Sequence, residues 1–321
     1  MEATLYETLL VGLDEQLESK NAVLEACRLA QRYGARLELL HAVPVPATLW
    51  PGVEREQLTE MHAQAVERAR EELGARLESE FSADESCGFD LADCLDVVAG
   101  HPAHALLERA TEISADLLLL GPHKKRGTLE FANTLRAVLS KSEVPVWIQG
   151  EEPRPLRRIL VAVDFSEESK LALEHAILLA KNTGASLRLL HAFQPPAMTF
   201  YNSADYWMPG PEFHVEAHEQ EMADRLKPLQ QRAEAAGLAA TMTVERAEPI
   251  ESILRHADEV DLVLMGTHGR TGLSRFVLGS NALGVLSKSP RHVMVVPRPG
   301  REWMLSRRRA EVLAAMAGSS F

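Results

Sequence analysis

The chain contains two copies of one unit. When the sequence is slid by 150 residues, Val11-Gly-Leu-Asp14 falls on Val161-Ala-Val-Asp164 and Leu39-Leu40-His41-Ala42 on Leu189-Leu190-His191-Ala192. From position 11 to 43 no gap is needed, and 16 of 33 positions are identical. Chance does not produce this, so whatever unit the first half folds into, the second half folds into as well. The match resumes at an offset of 145, where Asp116–Gly121 meets Asp261–Gly266. It continues at 147, where Val138-Leu-Ser-Lys-Ser142 meets Val285-Leu-Ser-Lys-Ser289. The segment between these two blocks is therefore two residues shorter in the first copy.

Each copy alternates apolar strand patterns with helical ones. In the second, Ile159–Asp164 reads as a strand, Lys170–Lys181 as a helix stopped by Gly184, and Leu187–Phe193 as a strand. A long helix over Val215–Ala236 and a strand over Ala239–Ala247 follow. Pro249 opens a helix to Ala257, then come strand Asp261–Met265, helix Asn281–Lys288 and strand His292–Val296. Strands that alternate with helices imply a parallel sheet covered on both faces. The expected layout is a first domain over 1–150, a second over 156–299, and a separate tail over 300–321. Gly150-Glu-Glu-Pro-Arg-Pro155 is the linker. In the tail, Trp303, Met304, Leu305, Val312, Leu313 and Met316 line one side of a helix with Arg307–Arg309 opposite. Such a helix packs on the domains or, as the alternative, meets a partner or membrane surface.

Composition narrows the class. A net charge of −12 argues against nucleic acid or an anionic membrane as the main partner. No apolar run is long enough to span a membrane, and Met1-Glu2-Ala3-Thr4 lacks a signal-peptide pattern. Three cysteines, Cys27, Cys87 and Cys94, form a sparse, odd set that fits a reducing cytoplasm. Cys87 and Cys94 read as ordinary thiols, with a redox pair as the alternative.

The richest local signal follows the strand Asp261–Met265. It is Gly266-Thr-His268-Gly269-Arg270-Thr-Gly272, then Gly279-Ser280-Asn281 at a helix start. A strand, a glycine loop and a helix N-terminus together suit phosphate groups, because backbone N–H groups can approach an anion where no Cβ intervenes.

Asp164 at the end of a first strand, with Gly-x2-Gly-x9-Gly-Ser-Asn after a fourth, resembles the universal stress protein family in its tandem form. The resemblance implies an α/β fold of two tandem Rossmann-like open parallel five-stranded sheets, order 3-2-1-4-5, with helices on both faces. It implies ATP as the ligand, with or without Mg. Asp164 would then meet the ribose or adenine. Ala162 and Ala192 would line the base pocket, and Met265 would belong to the same site. Gly266, Gly269, Gly279, Ser280 and Asn281 would wrap the phosphates, with His268 and Arg270 as donors. One-copy relatives dimerise through the last strand, so the chain resembles such a dimer fused into one molecule, and a homodimer of chains is a further option. Val144–Ile148 and His292–Val296 are accordingly expected at sheet edges.

The first copy keeps Asp14 and Gly121, but Lys124 stands for Gly269 and Ala132-Asn133 for Gly279-Ser280. Lys124, Lys125 and Arg126 make that loop basic. Only the second copy is expected to bind ATP in the family manner. Elsewhere, His214 and His218 read as a polar helix face, with a metal pair as the alternative; His101 and His104 read likewise. The aromatic run Thr199–Met208 closes over a pocket or packs between the copies. No nucleophile elbow or Walker loop is present. The expected function is that of a non-enzymatic stress sensor or adaptor whose contacts with a regulatory protein follow its nucleotide state. The alternatives are an enzyme splitting the α-β bond of ATP and a small-molecule carrier using the altered first pocket.

Overall fold

The computed structural model describes residues 5–44, 55–121, 129–150, 153–194, 211–267, 279–289 and 291–297. Side chains of 55, 129–133 and 211–214 are not included. Outside the described residues lie the tail, the run Thr199–Met208, Lys124–Arg126 and the loop residues His268, Gly269 and Arg270.

The first repeat runs β1 (Thr8–Leu13), α1 (Lys20–Tyr33), β2 (Arg36–Val43), α2 (Arg55–Glu80), β3 (Leu95–Ala99), α3 (Pro102–Glu112), β4 (Leu117–Leu120), α4 (Leu129–Lys141) and β5 (Val146–Ile148). The second runs β6 (Arg158–Ala162), α5 (Glu167–Thr183), β7 (Ser186–Phe193), α6 (Pro211–Ala235), β8 (Ala240–Arg246), α7 (Pro249–Ala257), β9 (Leu262–Gly266), α8 (Ser280–Lys288) and β10 (His292–Val296). The chain divides into two compact units, and β10 groups with the first.

In the first unit the strands follow the order β3-β2-β1-β4-β5, all parallel. The second carries β9-β6-β7-β8, again parallel. Strands covered on both faces are apolar along their whole length: Leu117–Leu120 is buried at every position. Gly34 and Gly184 end α1 and α5 in the left-handed conformation, with φ of 64° and 77°.

Val144–Ile148 holds the last strand of its own repeat's five, as expected, and that edge is paired rather than open. β5 has β4 on one side and β10, antiparallel, on the other, in the register Ile148↔Val293 and Trp147↔Met294. Trp147 and Met294 are both 0% exposed, so pairing removes an apolar edge from water. The α5 helix also starts three residues before the expected Lys170. Ser166 caps it, accepting from Ser169 N at 3.1 Å.

Candidate functional site

In the second unit β6 lies between β7 and β9. The chain leaves β6 for β7 on one side and returns as β9 on the other. Such a reversal, beyond the carboxyl ends of the strands, is where open parallel sheets take their ligands. Asp164 follows β6 by two residues and Gly266 ends β9, so the topology brings these two motif residues to one place. Ala162 closes β6 and Ala192 lies near the end of β7, both half-buried; Met265 is buried within β9.

The two aspartates differ in what holds them. Asp164 receives Ser166 N at 3.0 Å and Ser166 Oγ at 2.5 Å, both on Oδ1. Its Oδ2 accepts no hydrogen bond among the described residues. Asp14 is consumed by its own turn: Oδ1 accepts from Gln16 N and Glu18 N, each at 3.0 Å, and Oδ2 from Ser19 N at 2.8 Å. Gln16 stands where Ser166 does, and a glutamine side chain is a poor helix cap. Asp14 instead closes the turn that precedes α1, whose N-cap Ser19 makes no side-chain cap bond, and α1 begins only at Lys20, which aligns with Lys170 inside α5.

Gly266 has a packing role. A Cβ on it would lie 2.7 Å from Glu168 Cβ and 3.0 Å from Ser169 N. Gly121 meets Ser19 in the same way, with a Cβ 2.8 Å from Ser19 Cα. Both glycines therefore let a helix start press against a strand end, and the need is the same in the copy whose loop motif is lost.

Gly279 N donates to Thr267 O at 2.8 Å, closing the two ends of the glycine loop on each other. Ser280 and Asn281 form the first turn of α8, which has no side-chain cap. Their side chains are exposed, and the orphan N–H groups of an uncapped helix start favour an anion.

Sequence reading passed over Phe165, Ser166 and Arg225. Phe165 adopts φ 64°, costly for an aromatic residue, and its ring packs on His191 at 4.7 Å beneath the Arg225 guanidinium at 4.1 Å. His191 Nδ1 sits 2.7 Å from Val163 O, so Nδ1 carries the proton and donates. Phe193 extends the row to His218, with ring centroids 4.8 Å apart. The triplet Asp164-Phe165-Ser166 directly after a strand was the available signal. His218, expected on a polar face, thus packs on an aromatic ring, and His101 caps α3 through Ala103 N. Among the described residues no group of three or more His, Cys, Asp or Glu side chains could hold a metal, and no helix is long and apolar enough to cross a membrane.

Known proteins resemble this chain along almost its whole length. A universal stress protein of Mycolicibacterium smegmatis is 28% identical over 311 residues, covering 90% of this chain and 96% of that protein. One from Mycobacterium tuberculosis is 25% identical over 306 residues, covering 89% and 96%. A universal stress protein structure from Archaeoglobus fulgidus superposes with a TM-score of 0.58 at 19% identity, covering 92% of this chain and 97% of that one. The family profile matches twice, over residues 5–149 and 155–297, once for each repeat, and the chain belongs to the universal stress protein family.

Proposed function

We propose that the second repeat binds ATP, with or without Mg, in the crevice between the ends of β6 and β9. The chain then acts in the cytoplasm as a non-enzymatic stress sensor or adaptor. The observation that carries this reading is the unengaged Oδ2 of Asp164 beside the fully engaged carboxylate of Asp14. A carboxylate oxygen held in place by Ser166, with its partner oxygen open, suits a ribose or adenine donor. The uncapped start of α8 supplies N–H groups for phosphate on the facing side of the crevice. By sequence, the second repeat has glycines at 266, 269 and 279, and the first has Lys124 and Ala132 in place of the last two.

Calorimetric titration of the full chain with ATP tests this. One nucleotide per chain is expected, with binding lost in Gly269→Lys. Two equal sites, or unchanged affinity in Gly269→Lys, would overturn the reading. ATP turnover should stay negligible over the same period.

A further inference from the structure

The sheet of the second repeat ends on an open strand. Among the described residues β8 has β7 on one side and no strand on the other. Leu187, which pairs with Ala240, donates from its N to Ala239 O at 2.9 Å. In a parallel ladder this commits residues 239, 241, 243 and 245 to β7 and turns the backbone groups of Ala240, Met242 and Val244 outward. The side chain of Gln230 on α6 donates to Ala240 O at 3.1 Å, in agreement with that direction. The outward N–H and C=O of Met242 and Val244 have no hydrogen-bond partner among the described residues.

The first repeat closes the same edge. Leu39 pairs with Leu95, and its aligned residue Leu189 pairs with Met242, so Leu95 and Met242 hold one position in the two repeats. Arg70 of α2 reaches that edge, donating to Leu95 O at 3.1 Å and to Asp96 at 3.1 Å. Leu95 and Val97 are buried. In the second repeat Thr243 stands for Asp96, and Met242 and Val244 are only half-buried. An open groove of about 520 Å³ runs beside them, with Glu216, Glu219 and Ala223 of α6 facing Met242, Val244 and Arg246 of β8. Glu219 pairs with Arg246, and Gln230 bonds Ala240 at the opposite end, so α6 runs antiparallel to β8. Glu216 therefore lies one turn beyond Glu219, at the Arg246 end. It is exposed and has no ion pair among the described residues. Two carboxylates against one guanidinium leave that end of the groove short of one cation, while Met242 and Val244 make the rest apolar.

We propose that the β8 edge and its groove bind an extended segment of a partner protein as an added strand. The segment places apolar side chains against Met242 and Val244 and a lysine or arginine at Glu216. Main-chain hydrogen bonds to Met242 and Val244 extend the ladder, and the alternate side chains that face the groove select the sequence. A segment with an acidic residue in the basic position meets Glu216 and is rejected. A second copy of β8 fits less well. In an antiparallel pair of β8 strands centred on Thr243, each Arg246 falls at the Ala240 end of the other strand, away from Glu216.

Fluorescence anisotropy of the full chain with labelled seven-residue peptides, the length of β8, tests the proposal. The probes are Thr-Val-Thr-Val-Thr-Lys-Thr and its reverse, which cover both strand directions. One of them should bind, and amide exchange at Met242 and Val244 should slow when it does. Affinity should fall about tenfold or more with Glu216→Lys, with glutamate replacing the peptide's lysine, and with the fully N-methylated peptide, which has no N–H to donate. Glu216 is exposed, so that variant keeps the fold. The proposal is overturned if neither peptide binds, if lysine and glutamate peptides bind equally, or if binding leaves exchange at Met242 and Val244 unchanged. A concentration-dependent dimer of the free chain that protects Met242 and Val244 would assign the edge to a second copy and overturn it as well.

Discussion

Asp14 and Asp164 align without a gap, yet one is spent on its own turn and the other keeps an oxygen open. Their removal should therefore have opposite consequences. Asp14→Ala strips three backbone N–H groups of their acceptor and should cost about 1–3 kcal/mol in denaturant melts, with ATP affinity unchanged. Asp164→Ala should lose tenfold or more in ATP affinity, about 1.4 kcal/mol, because Ser166 still caps α5. Equal effects on both readouts from both variants would refute the division of labour. The aspartates and glycines of this contrast were legible as a motif. The reason for the contrast was not, because it turns on Gln16 against Ser166, a capping difference that no motif contains. Glu25 of α1 is a separate residue-scale case. It is 5% exposed, its Oε2 has no hydrogen-bond partner, and its nearest cation, Arg28, is 3.8 Å away. Burial raises it from 4.5 to about 7, against the opposing pull of Arg28 and Arg32. The folded state thus holds a proton that the unfolded chain releases near pH 4.5, so Glu25 costs nothing below that pH. Its penalty grows as pH rises to about 7 and is constant above. Glu25→Gln should stabilise the chain by up to about 3 kcal/mol at pH 8 and leave it unchanged at pH 4. A gain of equal size at both pH values would show that charge is not the cause.

Each pair of central strands is fixed at both ends by elements that the sequence states plainly. At the amino ends, Asp116 accepts from Glu7 N and Thr8 N at 2.7 and 3.0 Å, and Asp261 accepts from Arg157 N and Arg158 N at 2.8 Å each. At the carboxyl ends, Gly121 and Gly266 admit the first turn of α1 and α5. Repetition is what makes this readable: a residue kept in both copies, one of which has lost the loop motif, answers to the frame. Gly266→Ala should therefore destabilise the second unit by about 1–3 kcal/mol, since backbone at 3.0 Å cannot give way as a side chain can. Gly121→Ala should do the same to the first unit, where no ATP is expected. If Gly266→Ala melts like the parent and loses only ATP, the glycine serves the ligand and not the packing. The strands and most helices were legible from their apolar periods, with boundaries shifted by one to four residues. The start of α5 was not, because Ser166-Glu167-Glu168-Ser169 has no apolar period and only its cap marks it as helical. The turns between α2 and β3 were hidden for a similar reason: they rest on local bonds, such as those from Ser82 N and Oγ to Glu85 and from Ala92 N to Asp90, which leave no periodic trace.

The two repeats keep one frame but have exchanged their polar contents. Glu38 of β2 pairs with Arg109 of α3, while at the matching positions Arg188 of β7 meets His256 of α7 at 3.1 Å. Arginine can only donate, so His256 Nδ1 accepts, and Nε2–H donates to Glu245 at 2.7 Å. An arginine in place of Glu38 would therefore set two cations, itself and Arg109, against each other. The last strand, however, ties the sequence of the second repeat to the core of the first. β10 is buried at every position, and its residues pair with β5, where Trp147 Nε1 donates to Gln149 at 2.9 Å and Gly150 N donates to His292 Nδ1 at 2.9 Å. Met294 lies opposite Trp147, and both are fully buried. Met294→Asp places a carboxylate there with no partner and should cost about 3 kcal/mol or more. The damage should cross the repeat boundary: amide hydrogen exchange at Val146–Ile148, nearly 150 residues away in sequence, should accelerate together with that at His292–Val296. Acceleration confined to residues after Arg154 would mean that β10 is no part of the first unit. Retained protection throughout would mean that the β5–β10 ladder does not depend on this apolar contact.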